Sequence, residues 1–411
     1  MSLLLAKSLI WFGTCLLGML ALSLPGALAG GTGQPTGVTR TTILIGGTAP
    51  LSGPESAYAP VARGAQAYFK YVNAHKKVFH RKIRYLVRDD AYDPARTVQA
   101  TRQLVQQDKV FAIFNSVGTE HVLAVRPFLN QLGIPQLFVG SGATAIANQH
   151  KKYPWTMGYL PSFVGEGAVY GRHVAKTKRH AKIAVLAENS EYGDELRRGL
   201  MRGLHGKGKI VATQTYEVTD VDVSSQVARL KASHANTFML FALPKQALQS
   251  FIYADKLGWR PRIYVTSVSI DPFVMKVARE NTGGRTTNGA ISLAFLKDPT
   301  DPKLKKNPGV RLYRKIMKRY AKGANPDAVA HFYGMATAFT MVDALRHAGR
   351  HPTRKKLLRA ATHLKERNNP FLRHGVTVKT TPRDYFPIER VQLLRYKKKR
   401  WVPIGPVVRA R

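Results

Sequence analysis

Short runs rich in β-branched residues alternate with amphipathic helical stretches along almost the whole chain. A parallel sheet flanked by helices is the architecture that accommodates this alternation. Residues 43–45, 83–87, 111–114 and 136–139 read as strands. Between them, Val61, Ala65, Tyr68, Phe69 and Val72 share one face of a helix over 58–73, and Val98, Leu104 and Val105 one face over 94–107. Val122, Val125, Phe128 and Leu132 do the same over 119–132. The scheme then repeats, with strands at 183–187, 210–215, 238–241 and 263–266 and helices at 165–177, 194–205, 224–231 and 246–257. Two such series predict two doubly wound α/β lobes.

A strand at 290–295 and a long apolar helix around 332–345 are expected to return the chain to the first lobe, and strands at 375–379 and 390–396 to cross back to the second. Lobe I is thus 40–158 plus 290–373 and lobe II 159–289 plus 374–396, after a flexible linker at 30–39 and before a basic tail at 397–411. Ligands of open parallel sheets bind beyond the carboxyl ends of the strands. With two such lobes face to face, the crevice between them is the expected site.

Lys7, the apolar stretch 8–24, Pro25-Gly26 and Ala27-Leu28-Ala29 follow one another in the order of a cleaved export signal. The mature chain is expected to begin near Gly30 and to reside in the periplasm. A spanning helix would need about 20 uninterrupted apolar residues and no cleavage motif. Cys15, the single cysteine, lies in this stretch without the small residues that precede a lipid-anchored cysteine, so neither a lipoprotein nor thiol chemistry is expected. The 64 Lys plus Arg against 24 Asp plus Glu give a net charge of +40, which raises nucleic-acid binding. However, the bases are scattered, their densest run at 397–400 is in the tail, and no zinc-finger spacing, RNP motif or basic zipper occurs; no nucleic-acid partner is expected. Two other readings of the charge stand side by side. One is an acidic habitat, where a chain with few carboxylates loses little stability on their protonation. The other is attraction to an anionic ligand or surface.

The loop after the first strand reads Thr48-Ala49-Pro50-Leu51-Ser52-Gly53-Pro54, followed by Ala57 and Tyr58. Here the chain resembles the Leu/Ile/Val-binding family of ABC-importer solute receptors. Asp89-Asp90 with Tyr92 and Asp93-Pro94, Asn115-Ser116-Val117-Gly118-Thr119, Val139-Gly140-Ser141-Gly142-Ala143-Thr144, Pro154-Trp155-Thr156-Met157-Gly158 and Tyr192-Gly193 agree, as do segments 296–302 and 384–388. The resemblance covers 43–396 and implies a type I periplasmic-binding fold: two lobes, three hinge crossovers, closure around a small-molecule solute and delivery to a membrane permease. It implies a non-enzymatic monomer without cofactor or metal.

By the same resemblance, the carboxylate-gripping positions fall on Ser116 with Asn115 and Val117, and on Ser141, Gly142, Ala143 and Thr144. Ser52 and Tyr58 reach the crevice from the first loop, Tyr192, Leu243 and Ser269 from lobe II, and Trp155 and Tyr159 sit near the first crossover. Small hydroxylic residues and free N–H groups ahead of a helix make an anion pocket without Lys or Arg; Ser116 and Thr119 also suit helix capping. One departure concerns the ligand. Family members that hold an amino acid place a Glu in the loop that here reads Thr266-Ser267-Val268-Ser269-Ile270-Asp271, and Asp271 before Pro272 suits a helix start. The expected solute is therefore a carboxylate-bearing one, a branched-chain amino acid or related compound, with an aromatic or aliphatic acid or amide as the alternative.

Asp89 and Asp90, adjacent on a strand, point to opposite faces and make no acid–base pair. His347 and His351 have the i, i+4 spacing of a zinc pair, but Gly349 and Pro352 interrupt the helix. No Gly-x-Ser-x-Gly elbow, Walker loop or dinucleotide fingerprint occurs. A repressor on the same fold would need a helix-turn-helix where the export signal stands, and a sensory receptor that reports its ligand without transport is a further alternative.

Overall fold

The computed structural model describes residues 35–411; the expected export signal, Cys15 and the start of the linker lie outside them. The first sheet is built from β1 (Thr42–Ala49), β2 (Lys82–Asp89), β3 (Ala112–Phe114), β4 (Gln136–Val139) and β5 (Thr156–Gly158), all parallel, in the order β2-β1-β3-β4-β5. Helices α1 (Ala59–His75), α2 (Pro94–Gln106), α3 (Thr119–Gln131) and the short α4 (Thr144–Asn148) connect them. Val61, Ala65, Tyr68, Phe69 and Val72 are buried, as the helical spacing requires. Leu132, expected inward, is 47% exposed: α3 stops one residue earlier, and the left-handed Gly133 turns the chain off the buried face.

After β5 the chain enters the second lobe with α5 (Phe163–Thr177). There follow β6 (Ala181–Glu188), α6 (Glu191–Leu204), β7 (Gly208–Tyr216), α7 (Ser224–Ala232), β8 (Thr237–Phe241), α8 (Pro244–Lys256), β9 (Arg262–Val265), α9 (Pro272–Thr282) and β10 (Ile291–Ala294). The strand expected to lead the return to lobe I is this β10, and it lies in the second sheet instead, parallel to β9 through Ile291 and Tyr264. Its faces are covered there, Ser292 Oγ meeting Tyr170 Oη at 3.4 Å. The return begins after it, with α10 (Pro308–Tyr320), α11 (Val329–His347) and α12 (Arg354–Ala361), the first two packed on α1.

Residues near 375–379 do not join the second sheet either. Here β12 (Val378–Lys379) pairs with β11 (Lys365–Glu366) in a separate ribbon. Only β13 (Arg390–Lys397) crosses back, and the supposed tail is its hairpin partner β14 (Arg400–Arg409), giving the order β14-β13-β10-β9-β8-β6-β7. Lys398 and Lys399, at φ 46° and 69°, form the turn, a conformation that usually selects Asn-Gly. Between the sheets, one apolar cluster runs from Phe114 and Phe138 through Tyr159 and Phe163 to Tyr170 and Met239, joining both lobes. Among the described residues no helix is long and apolar enough to cross a membrane.

The α1–α11 contact is close because glycines face it from each side. A Cβ on Gly64 would lie 2.1 Å from the His331 carbonyl oxygen, and one on Gly334 2.0 Å from that of Val61. Gly64→Val should therefore cost about 1–3 kcal/mol, the usual scale of overpacking. Urea unfolding checks this, and a loss below about 0.5 kcal/mol, typical of a surface position, would contradict the close approach.

Candidate functional site

A cavity of about 1110 Å³ lies between the lobes. Its wall is made by residues of the segments leaving the parallel strands: 52–54, Ala57 and Tyr58 after β1, 91–94 and Arg96 after β2, 117–121 after β3, 188–190 and Tyr192 at and after the end of β6, 217–219 after β7, Leu243 and Pro244 after β8, and Ser267, Val268, Ile270, Asp271, Phe273 and Val274 after β9. Pro60, Val61 and Arg63 of α1, Gly140, Leu160, Phe163, Phe295, Leu296, residues 323–325 and the start of α11 complete it.

Lobe I contributes a loop fastened by Asp89, whose carboxylate accepts from the Leu51 N–H (2.8 Å), the Ser52 N–H (3.2 Å), the Ala91 N–H (3.0 Å) and the Ser52 hydroxyl. Burial pushes Asp89 up, but the Ser52 hydroxyl and these N–H groups outweigh it and hold the carboxyl below its ordinary value. Asp90 points to the other face, buried against Thr97 (3.0 Å). Asp93 caps α2 through the Ala95 and Arg96 N–H groups. Tyr58 and Tyr92 stand 6.3 Å apart on the wall, and Tyr92 lies 4.3 Å from the His121 ring. The N-cap of α3 is Gly118 at φ 107°, with no side-chain cap. A backbone start without a capping side chain leaves first-turn N–H groups to face the cavity.

Lobe II supplies Tyr192, held by Thr266 Oγ1 (2.9 Å) and edge-on to Phe163 at 4.8 Å. Buried Glu166 fixes the loop after β9 by accepting from Ser267 N–H and Oγ–H, each at 2.7 Å. Asp271 accepts from the Phe273 N–H and, across the crevice, from the Val329 N–H, both at 2.9 Å; both its oxygens are engaged. Two more bonds tie the lobes, Glu191 N–H to Glu120 (3.1 Å) and Tyr58 Oη–H to the Val268 carbonyl (3.4 Å).

Of the fourteen residues singled out from the sequence, Ser52, Tyr58, Val117, Tyr192 and Leu243 line the cavity. The other nine stand outside that lining. Ser116 Oγ accepts from the Thr48 N–H at 3.3 Å, and Asn115, at φ 55°, is buried beside it without a side-chain partner. Ser141 Oγ meets Thr119 Oγ1 at 2.8 Å and accepts from the Ala143 N–H at 3.1 Å. Gly142 abuts the Pro161 carbonyl. The Thr144 N–H donates to Glu195 of α6, 2.8 Å from each carboxylate oxygen, so a carboxylate of the protein itself sits where the sequence suggested a solute's. Trp155 N–H is spent on Asn130, Tyr159 Oη on Thr340 and the Ala336 carbonyl, and Ser269 Oγ on the Ala242 carbonyl. Conversely, Tyr92, Phe163, Val268 and Glu188 line the cavity without having been singled out. The rule that strand-end loops form the site already covered Glu188, which ends β6.

Several carboxyls are buried here. Burial is the main cause that pushes Glu55 up to about 8 and Glu188 and Glu195 to about 7; Glu366, bonded to Thr340 away from the cavity, also reaches about 7. Carboxyls raised by folding bind more protons in the folded than in the unfolded chain, so stability grows as pH falls through their folded values. Burial pushes His173 and His331 down to about 4, an opposing effect that begins only below the ordinary histidine value. The melting temperature should therefore rise from about pH 8 to about pH 7. Thermal melts at constant ionic strength read this, and a fall over that interval would contradict it.

A family model described as periplasmic binding protein matches residues 42–400. The Leu/Ile/Val-binding protein homolog 7 of Brucella suis biovar 1 is 26% identical over 258 residues, 60% of this chain and 62% of that protein. The chain thus spans about three fifths of the length of that relative. Homolog 2 of Brucella abortus is 24% identical over 374 residues, 89% of this chain and 90% of that protein. Among solved structures, a branched-chain amino acid ABC transporter from Thermus thermophilus with bound valine superposes with a TM-score of 0.79 at 20% identity, covering 90% of this chain and 97% of its own. A fatty acid ABC transporter substrate-binding protein from Thermomonospora curvata gives 0.76 at 20% identity, covering 92% and 95%. Both share the two-lobed parallel architecture described above. The chain belongs to the periplasmic binding protein family and has its two-lobed type I fold.

Proposed function

We propose that this protein is the extracytoplasmic solute-binding component of an ABC importer, closing its lobes around a small carboxylate-bearing solute and presenting it to a membrane permease. The observation that carries this reading is the cavity itself, walled by strand-end loops of both lobes. Its family is one of binding proteins and not of enzymes. The uncapped start of α3 suits the carboxylate, with Ser116 and Ser141 bracing the loops around it rather than touching it. Tyr58, Tyr92, Tyr192, Leu243 and Val268 suit an apolar body. A volume of about 1110 Å³ leaves room for a solute bulkier than valine, including an aromatic or longer aliphatic acid.

A thermal-shift screen of branched and aromatic amino acids, amides, and aromatic and aliphatic acids tests this. A true ligand at about 100 times its Kd adds about 2.7 kcal/mol of stability. Tyr58→Ala should weaken such a ligand about tenfold, the equivalent of about 1.4 kcal/mol. Unchanged affinity for every hit would place the solute elsewhere.

A further inference from the structure

A groove of about 640 Å³ opens where the chain crosses from β12 to β13. Five cations line it, Lys365, Arg367, Lys379, Arg390 and Arg409, against one carboxylate, Glu389. In a molecule of net charge +40 a basic patch is ordinary, but the pairing of these residues is not. Lys365 stands directly opposite Lys379 across the β11–β12 ribbon, and Arg390 directly opposite Arg409 at the open end of the β13–β14 hairpin. Opposed residues of an antiparallel pair share a face, with β-carbons about 5 Å apart, and like charges placed in this way are destabilising. Two such pairs turn toward one groove.

Its two walls belong to different lobes. The ribbon is fastened to lobe I, where the Thr340 hydroxyl of α11 donates to Glu366 at 2.8 Å and the Thr380 hydroxyl donates to the Ala361 carbonyl of α12 at 2.6 Å. The hairpin is part of the second sheet.

The acids nearby are already engaged. Glu389 is shared by Arg409, at 3.2 Å, and Arg411, and Asp384 is also held by Arg411. Glu366, beside Lys365 in sequence, turns to the other face of the ribbon, buried and bonded to Thr340 and Asn369. Among the described residues, no acid forms an ion pair with Lys365, Arg367, Lys379 or Arg390.

We propose that this groove is an anion site bridging the two lobes, which takes a multiply charged, phosphate-bearing ligand. Its three guanidinium groups offer the paired donors that phosphate oxygens accept, and its two ammonium groups add charge with little directional demand. A volume of about 640 Å³ exceeds a single phosphate, so a diphosphate or a phosphorylated headgroup fills it better than a lone ion. The bound anion supplies the negative charge that the opposed pairs lack. Because it touches the ribbon on one side and the hairpin on the other, it also holds the lobes to one another at the crossover.

Calorimetric titration of the whole protein with sodium diphosphate at constant ionic strength tests the site, with sedimentation on phosphatidylcholine vesicles, with and without phosphatidylglycerol, as a second arm. Arg390→Gln and Lys379→Gln, one from each wall, should each weaken diphosphate binding about tenfold. Lys209→Gln, exposed on β7 at the far edge of the second sheet, should leave it unchanged. Since the first two substitutions also break up like-charged pairs, those variants should melt no lower than the unaltered protein in phosphate-free buffer. Diphosphate binding without retention on the anionic vesicles marks a soluble ligand, and retention that diphosphate displaces marks a lipid headgroup. Binding of neither diphosphate nor anionic vesicles by the folded, unaltered protein overturns the site. Equal weakening by Lys209→Gln overturns it as well, since the attraction then belongs to the net charge and not to the groove.

Discussion

Because the strands of the first sheet, and those of the second through β10, run parallel, their carboxyl ends gather along one edge of each sheet. The segments leaving those ends have only the gap between the lobes to occupy. Everything else at the site follows from this constraint: helix starts such as α3 point into the gap, and each loop brings two or three side chains to a common wall. An antiparallel arrangement would divide the same loops between opposite edges.

In a chain so poor in acids, the carboxylates occur where loops must be fixed. Asp89 gathers four donors from the loops after β1 and β2, Glu166 pins the loop after β9, and Asp271 ties α9 to the start of α11. A carboxylate accepting backbone N–H groups is a strong and directional fastener. Glu195 shows the same device on Thr144, where a protein carboxylate satisfies the N–H of a short helix start. The excess of bases, by contrast, is spread over the outside and, among the described residues, enters the cavity only as Arg63 and Arg96.

The two lobes and the position of the crevice were legible in the sequence because helical and strand periodicity are local signals, and α1 buries the residues its spacing selects. What stayed hidden depends on long-range pairing. An apolar run such as Ile291–Ala294 carries no mark of which sheet it joins, and Lys398-Lys399 looks like solvated charge although it turns a hairpin. At the site, chemistry suggested hydroxyl groups as ligand contacts, yet Ser116 and Ser141 bond to neighbouring backbone and side chains. Small polar residues serve bracing and binding equally well, and only geometry separates the two. Glu188 was passed over for a related reason: a single acid at a strand end is ordinary until folding buries it on a cavity wall.

The apolar cluster that threads through Tyr159 and Phe163 couples the lobes beyond their backbone connections. Tyr159 is anchored in lobe I by Thr340, while Phe163 packs on Tyr192 of lobe II. A lobe that melted alone would strip cover from the aromatic groups of its partner, so partial unfolding exposes apolar surface on both lobes. Unfolding of one lobe therefore favours unfolding of the other. A molecule seated in the crevice, bridging the two, stabilises both lobes against unfolding.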